Sequence, residues 1–400
     1  MEEGKMISKE VKKIIEGSKV IQAMFDDARM LEEIHGAGSV CDFTIGNPNV
    51  PAPEEFKQAV IDVLKQEDPL KIHGYMSNAG FDEVRDAVAE HLNREHGTAF
   101  HRGNIIMTAG AAGGLNVIFK TLLDEGQEVV AFAPYFSEYR HYVHQYGGKL
   151  VLVPANPPEF QPDLKAMESL INAKTKAVII NSPNNPTGVI YSEETIIEMS
   201  RILKLKEEEY GHAIYLISDE PYRELVFDGG KVPYVTRYYD DTIVAYSYSK
   251  SLSLPGERIG YLVLPDELSG QEDIFAGACT VTRTLGFMNA CSLVQLALAR
   301  CLDCTADISY YDKNRRRLVE ALTAMGYEMA PAVGGFYLFI KAPGGDEERF
   351  LKVARENLVL LVSGTDFGCP GYVRMAYCTS YETIEKALPR MEKVMATLLY

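Results

Sequence analysis

Between residues 105 and 264 the chain alternates short, almost continuously apolar β-rich runs with helical stretches, and this alternation limits what it can fold into. The runs are Ile105–Thr108, Glu128–Phe132, Lys149–Val153, Ala177–Asn181, Ala213–Ser218, Thr242–Ser247 and Ile259–Leu264. Strands covered on both faces read in this way, with few polar breaks. Helical patterns such as Leu115–Leu123 and Glu193–Lys206 lie between several of them. The predicted class is α/β, a mostly parallel central sheet with helices on its faces. Helical spacing also runs from Phe81 toward Gly97, which is placed to end it.

After about residue 286 the pattern changes. Longer helical stretches (Ala290–Cys301, Asp307–Met325, Glu347–Glu356, Glu382–Leu399) surround two short runs, Gly335–Lys341 and Tyr372–Ala376. A smaller α+β domain is expected there, completed by a mainly helical segment of about 40 residues at the other end of the chain. Four hundred residues exceed one ordinary core. The expected division is a large domain at 46–286 and a small domain built from 1–45 and 287–400. No internal repeat or Pro/Gly/Ser-rich linker interrupts it.

Composition narrows the function classes. The chain is 46% hydrophobic and 24% charged, which excludes collagenous and disordered classes. Its net charge of −16 repels phosphate backbones and anionic lipid, so neither nucleic acid nor a membrane surface is expected as a partner. No apolar run approaches the ~18 residues a spanning helix needs, and Met1–Met6 lacks the pattern of a secretory signal. Seven scattered cysteines do not form a disulfide framework. Cys301 and Cys304 fall in an amphipathic pattern with no completing ligands, so helix packing explains them. The eight histidines show no metal-ligand spacing, and no metal site is expected. The triplet Arg315–Arg317 reads as a solvated helix face. A cytoplasmic location is expected.

Four windows carry candidate chemistry. In Thr242–Tyr261 a buried run ends in hydroxyl residues, then Lys250, a Pro-Gly turn and Arg258. A lysine in a partly apolar pocket near another cation loses its proton readily and attacks carbonyls; a loop lysine among turn-forming serines is the plainer alternative. In Ala213–Tyr222, Asp219 ends an apolar strand, where ligand-facing residues of open α/β sheets collect. It could hold a metal, orient a histidine or pair with a protonated ring nitrogen, with the Tyr222 phenol nearby. In Asn181–Gly188 two Xaa-Pro bonds shape a turn that makes Asn185 a rigid amide at a strand end. In Ile105–Asn116 a strand passes through a small-residue turn into a helix, offering backbone N–H groups of the kind that bind phosphate; tight strand–helix packing selects the same residues.

Together with Ile45-Gly46-Asn47-Pro48, Gly74-Tyr75, Pro134-Tyr135 and Val373-Arg374, these windows resemble the class I/II aminotransferases of fold type I, the aspartate aminotransferase superfamily dependent on pyridoxal 5′-phosphate. The resemblance covers nearly the whole chain. It implies that Lys250 condenses with the cofactor's aldehyde and then moves a proton at the substrate's Cα. Asp219 keeps the pyridine nitrogen protonated, Tyr222 and Asn185 bond the ring's 3-oxygen, and Tyr135 stacks on the ring. The amides of Ala111 and Ala112, the hydroxyls of Ser247 and Ser249, and Arg258 hold the phosphate. Tyr75 reaches the phosphate of a partner subunit, which implies a homodimer with shared sites. Arg374, which the residues alone read as a strand-edge charge, clamps the substrate α-carboxylate with help from Asn185, and Gly46 lies beside it.

The implied substrates are an L-amino acid and a 2-oxo acid. Arg283 lies in the region where some relatives read a substrate side chain, and it receives no role. Two other readings compete: a C–S β-lyase or decarboxylase on the same scaffold, and a ligand-binding regulator. The regulator reading ranks low because no helix-turn-helix signature precedes Gly46.

Overall fold

Seven strands, numbered in chain order after a short first strand β1 (Cys41–Asp42), form the large sheet: β2 (Ile105–Thr108), β3 (Glu128–Phe132), β4 (Lys149–Val153), β5 (Thr175–Asn181), β6 (Tyr215–Asp219), β7 (Thr242–Ser247) and β8 (Gly260–Val263). Their order is β2-β8-β7-β6-β5-β3-β4. Only β8 runs antiparallel to its neighbours. The computed structural model describes residues 7–8, 11–12, 14–15 and 27–399.

Both faces of the sheet are covered, which explains the near-continuous apolar runs. Along β3, Val129 and Ala131 bury against helix Gly110–Leu122, whereas Val130 and Phe132 bury on the opposite face with Ile196, Met199 and Leu203 of helix Glu193–Tyr210. The period of two in a strand sends alternate residues to opposite layers. Each fully buried side chain of this size contributes roughly 1.5–3 kcal/mol. Helix Asp82–His96 ends on Gly97 with φ 65°, a left-handed cap that glycine adopts without a Cβ penalty.

The register aligns the strand ends. Asn181, Asp219 and Ala245 lie in one row across β5, β6 and β7, and Thr108, Gly260 and Ser247 lie in another across β2, β8 and β7. The loops that follow β2, β5, β6 and β7 therefore emerge side by side along the carboxyl edge.

The smaller body holds β9 (Tyr337–Lys341), β10 (Val359–Leu360), β11 (Val362–Ser363) and β12 (Tyr372–Ala376). The order β11-β12-β9 is antiparallel, while β1 pairs with β10 in parallel. Leu318, Phe350, Ile384 and Met391 from three helices cover Leu338, Ile340, Val373 and Met375. Residues 27–35 are helical and attach here, through an Asp27–Arg355 ion pair and Leu31 packed on Val40 and Leu360. Of the rest of the expected N-terminal helical segment, residues 11–12 and 14–15 are also helical, and 1–6, 9–10, 13 and 16–26 lie outside the described residues.

Two expectations change. The break after 286 is displaced: Ala290, Leu296, Leu298 and Cys301 bury with Phe56, Val63 and Ile72 of the large body, so the chain leaves that body only before Ala306. Arg315 is not solvated. It is buried, donates to the Ala332 carbonyl over 3.1 Å and pairs with Asp228 and Asp312 at 2.7 Å each. Its neighbours behave differently: Arg316 is exposed, and Arg317 forms a fork with Glu385. Among the described residues no helix is long and apolar enough to cross a membrane, and no cluster of metal-ligating residues occurs.

Candidate active site

A cavity of about 370 Å³ opens at the carboxyl edge of the large sheet and is roofed by the small body. Its walls include Ala111, Ala112, Asn185, Asp219, Tyr222, Ser247, Ser249, Lys250 and Arg258 from the large body's loops, with Gly46 and Arg374 from the other side. One segment after each of β2, β5, β6 and β7 thus contributes, as the aligned strand ends require.

Lys250 follows β7 on the short helix Tyr248–Ser251. Its Nζ donates to the Gly46 carbonyl oxygen at 2.7 Å and lies 5.0 Å from the centre of the Phe336 ring. Burial lowers its pKa from 10.5 to about 8, and the like charges of Arg258 and Arg374 act in the same direction. At pH 7 about a tenth of this amine is then uncharged, hundreds of times more than for an ordinary lysine, and the neutral form is what a nucleophile toward a carbonyl needs.

The cavity wall that follows β2 is built from backbone. Helix Gly110–Leu122 starts without a side-chain cap, so the N–H groups of Ala111 and Ala112 belong to its open first turn. Gly110 has φ +72°, and a Cβ there would sit 2.7 Å from Arg258 Nη2. Glycine is required both by the left-handed backbone and by the close approach of the guanidinium. Arg258, itself at φ 53°, is held by the carbonyls of Pro255 and Ala109. The Ser247 and Ser249 hydroxyls bond each other at 2.7 Å.

Asp219 ends β6 and is buried. Its Oδ2 accepts from the Tyr139 hydroxyl at 2.5 Å, whereas its buried Oδ1 has no partner. Desolvation pushes the carboxyl up to about 7, against the pull of the tyrosine. A carboxylate left half-satisfied in a cavity wall is poised to pair with a cation in that cavity. Asn181 fixes the backbone beneath, donating to the Asp219 carbonyl and accepting from the Asn185 amide.

Arg374 lies on β12, the middle strand of its sheet, rather than at an edge. It is buried, donates from Nη1 to Asn185 Oδ1 at 3.0 Å and from Nη2 to the Thr44 carbonyl at 2.6 Å, and has an unpartnered Nε. Its guanidinium stacks over Tyr337, 4.6 Å from the ring centre. The Tyr337 hydroxyl in turn meets that of Tyr222 at 2.9 Å. A Cβ on Gly46 would run into the Tyr337 hydroxyl, so this segment can close over the cavity only as glycine.

Tyr135 is a correction. It is buried in the large core, with its amide on the Phe367 carbonyl and its hydroxyl accepting from Arg140 at 2.7 Å. The next residue, Phe136, is only partly buried and lines the cavity. Tyr75 does not line the cavity of its own chain and is 93% exposed. Arg283 is exposed and does not line it either. Phe136, Tyr337, Thr44 and Tyr139 escaped the sequence reading. Only Phe136, an aromatic beside Pro134-Tyr135, carried a local signal; Tyr139 meets Asp219 across 80 positions and Tyr337 meets Tyr222 across 115.

Residues 39–391 match the family model for aminotransferase class I and II. An aspartate aminotransferase from Thermotoga maritima is 31% identical, covering 97% of this chain and 98% of its own length. A probable aspartate/prephenate aminotransferase from Thermus aquaticus is 33% identical, covering 92% and 95%. A solved amino transferase from Eubacterium rectale superposes with a TM-score of 0.96 at 44% identity, over 99% of this chain and 100% of that one.

Proposed function

This chain belongs to the class I and II aminotransferases, and on that premise we propose that it moves an amino group between an L-amino acid and a 2-oxo acid using pyridoxal 5′-phosphate. The observation that carries this reading is a single cavity lined by both Lys250, an amine pushed toward its neutral form, and Asp219, a carboxyl with one buried oxygen unpaired. The residues fit the cofactor. The orphaned Asp219 Oδ1 suits a protonated ring nitrogen, and the open helix start with Gly110, Arg258, Ser247 and Ser249 suits a phosphate. Phe136 is the cavity aromatic available to the ring face.

Bound pyridoxal phosphate supplies an aldehyde that takes up amines and a cationic ring that draws electrons from the bond being broken. Lys250 offers the uncharged amine and, once released, the base for the Cα proton. Tyr222, its hydroxyl already bonded to that of Tyr337, lines the cavity where the ring's 3-oxygen would be met, as does Asn185. Arg374, stacked on Tyr337, presents a fork to the α-carboxylate and so orients the Cα–H bond.

We also propose a homodimer. Asn289 bonds the Ser77 carbonyl, bringing the segment of exposed Tyr75 together with exposed Phe287 and Met288. Exposed apolar residues gathered at a site suit a partner surface. All seven cysteines are free, which fits a cytoplasmic location. The relatives named above are aminotransferases and lend no support to the lyase or decarboxylase alternative.

The test is a half-reaction. Protein loaded with pyridoxal phosphate and given one amino acid, aspartate first, should yield one equivalent of 2-oxo acid and a stable amine form of the cofactor. Continuous release of pyruvate and ammonia from cysteine, with no oxo-acid acceptor, would contradict it.

A further inference from the structure

We propose that Tyr139 is a positioning residue for Asp219: its hydroxyl holds one carboxylate oxygen, favouring the ionised form and turning the other oxygen toward the cofactor's ring nitrogen. This rests on the reading of Asp219 as the counter-ion of that nitrogen. Tyr139 is buried and does not line the cavity, so anything it does to the site passes through Asp219 or through packing. Its hydroxyl is the one hydrogen-bond partner of the Asp219 carboxylate among the described residues.

The charged and titratable groups that face Asp219 are Tyr139 and Tyr142 from helix Tyr139–His144, and Glu220 and Tyr222 from its own strand end. Of these, only Tyr139 donates a hydrogen bond to it. Burial pushes the Tyr139 phenol well above its usual 10, so it remains a protonated donor across neutral pH. A neutral donor to a buried carboxylate favours the charged form, and its removal favours the protonated one.

The same short segment also builds the wall. Phe136, which lines the cavity, meets Tyr139 edge to face at 5.5 Å and 85°. One turn of chain thus carries an aromatic for the ring face and the anchor for the ring's counter-ion. Tyr139→Phe deletes only the hydroxyl and leaves this packing in place.

The experiment is a double-mutant cycle on cofactor affinity. Pyridoxal phosphate is titrated into the apo forms of wild type, Tyr139→Phe, Asp219→Ala and the double variant at pH 7 and pH 9.5, with circular dichroism to establish folding. Tyr139→Phe is expected to bind about 10- to 100-fold more weakly at pH 7, the size of a hydrogen bond to a charged group. The deficit should shrink at pH 9.5, where Asp219 ionises without help. In the Asp219→Ala background the same change should cost less than about twofold. Wild-type affinity in Tyr139→Phe at pH 7, or an equal loss with and without Asp219, would overturn the inference. A wild-type chain that takes up no cofactor would overturn the functional reading and this inference with it. Binding by wild type with Tyr139→Phe unchanged would overturn the inference alone.

Discussion

Lys250 Nζ and the Gly46 carbonyl oxygen are 2.7 Å apart, a contact between the end of β7 and the segment leading out of β1. The amine is thereby tucked into the cavity wall and partly buried, near the Tyr222 and Phe336 rings. Its pKa of about 8 follows mainly from that burial.

The first prediction concerns pH and capture. Only the neutral amine attacks an aldehyde, so the rate of covalent pyridoxal phosphate uptake should climb as pH rises through about 8 and then level off. Stopped-flow absorbance between pH 6 and 10.5 checks it. A rate still climbing at pH 10, as for an ordinary lysine, would contradict the burial argument.

Stability gives a second prediction, with the opposite sign to that of a paired lysine. The folded pKa lies below the unfolded 10.5, so folding disfavours the charged form. The penalty is fully present below about 8 and fades as pH rises toward 10.5. Lys250→Met should therefore stabilise the cofactor-free protein by roughly 3 kcal/mol at pH 7 and by only a few tenths of a kcal/mol at pH 10.5. Urea denaturation at the two pH values measures it; an equal effect at both would refute it.

Arg374 supplies a third. Its fork is held by Asn185 and Thr44, and its Nε has no partner. Arg374→Ala should raise the half-saturating amino-acid concentration about 100-fold, on the order of 3 kcal/mol, and leave pyridoxal phosphate affinity within a few fold. Arg374→Lys keeps the charge but not the fork, and should recover only part of the loss. A variant altered only in cofactor affinity would remove Arg374 from substrate binding.

Gly110→Ala tests the phosphate end. The new Cβ meets Arg258 Nη2 at 2.7 Å on a backbone at φ +72°. Folding should lose roughly 1–2 kcal/mol, and the displaced guanidinium should weaken cofactor binding about tenfold or more, as read by equilibrium titration. Affinity equal to wild type would show that Arg258 does not hold the phosphate.

Most of the large sheet was legible because its strands are buried on both faces. Runs such as Glu128–Phe132 and Thr242–Ser247 match the observed strands residue for residue. The two-residue strands β1, β10 and β11 were not legible, being too short for any periodicity to register. Helix Ser292–Leu298 was legible as a helix but not as part of the large body, since which core an apolar face joins is settled by tertiary packing. Arg315 looked like its neighbours, and its burial draws on Asp228 and the Ala332 carbonyl, both away from its own helix, as well as on nearby Asp312. At the site, chemistry-bearing residues at strand ends were readable from local pattern. Tyr135 was not, because its side chain turns into the core while Phe136 takes the cavity. Tyr139 and Tyr337 were invisible because their partners, Asp219 and Tyr222, are distant in sequence.

The most direct test of the central claim is to trap the amine. The purified protein is incubated with pyridoxal phosphate, reduced with borohydride and digested, and the modified peptide is identified by mass spectrometry. The expected result is one stable pyridoxyl adduct per chain, on Lys250 and absent from Lys250→Ala. An unlabelled Lys250, or the label spread over surface lysines, would contradict the account.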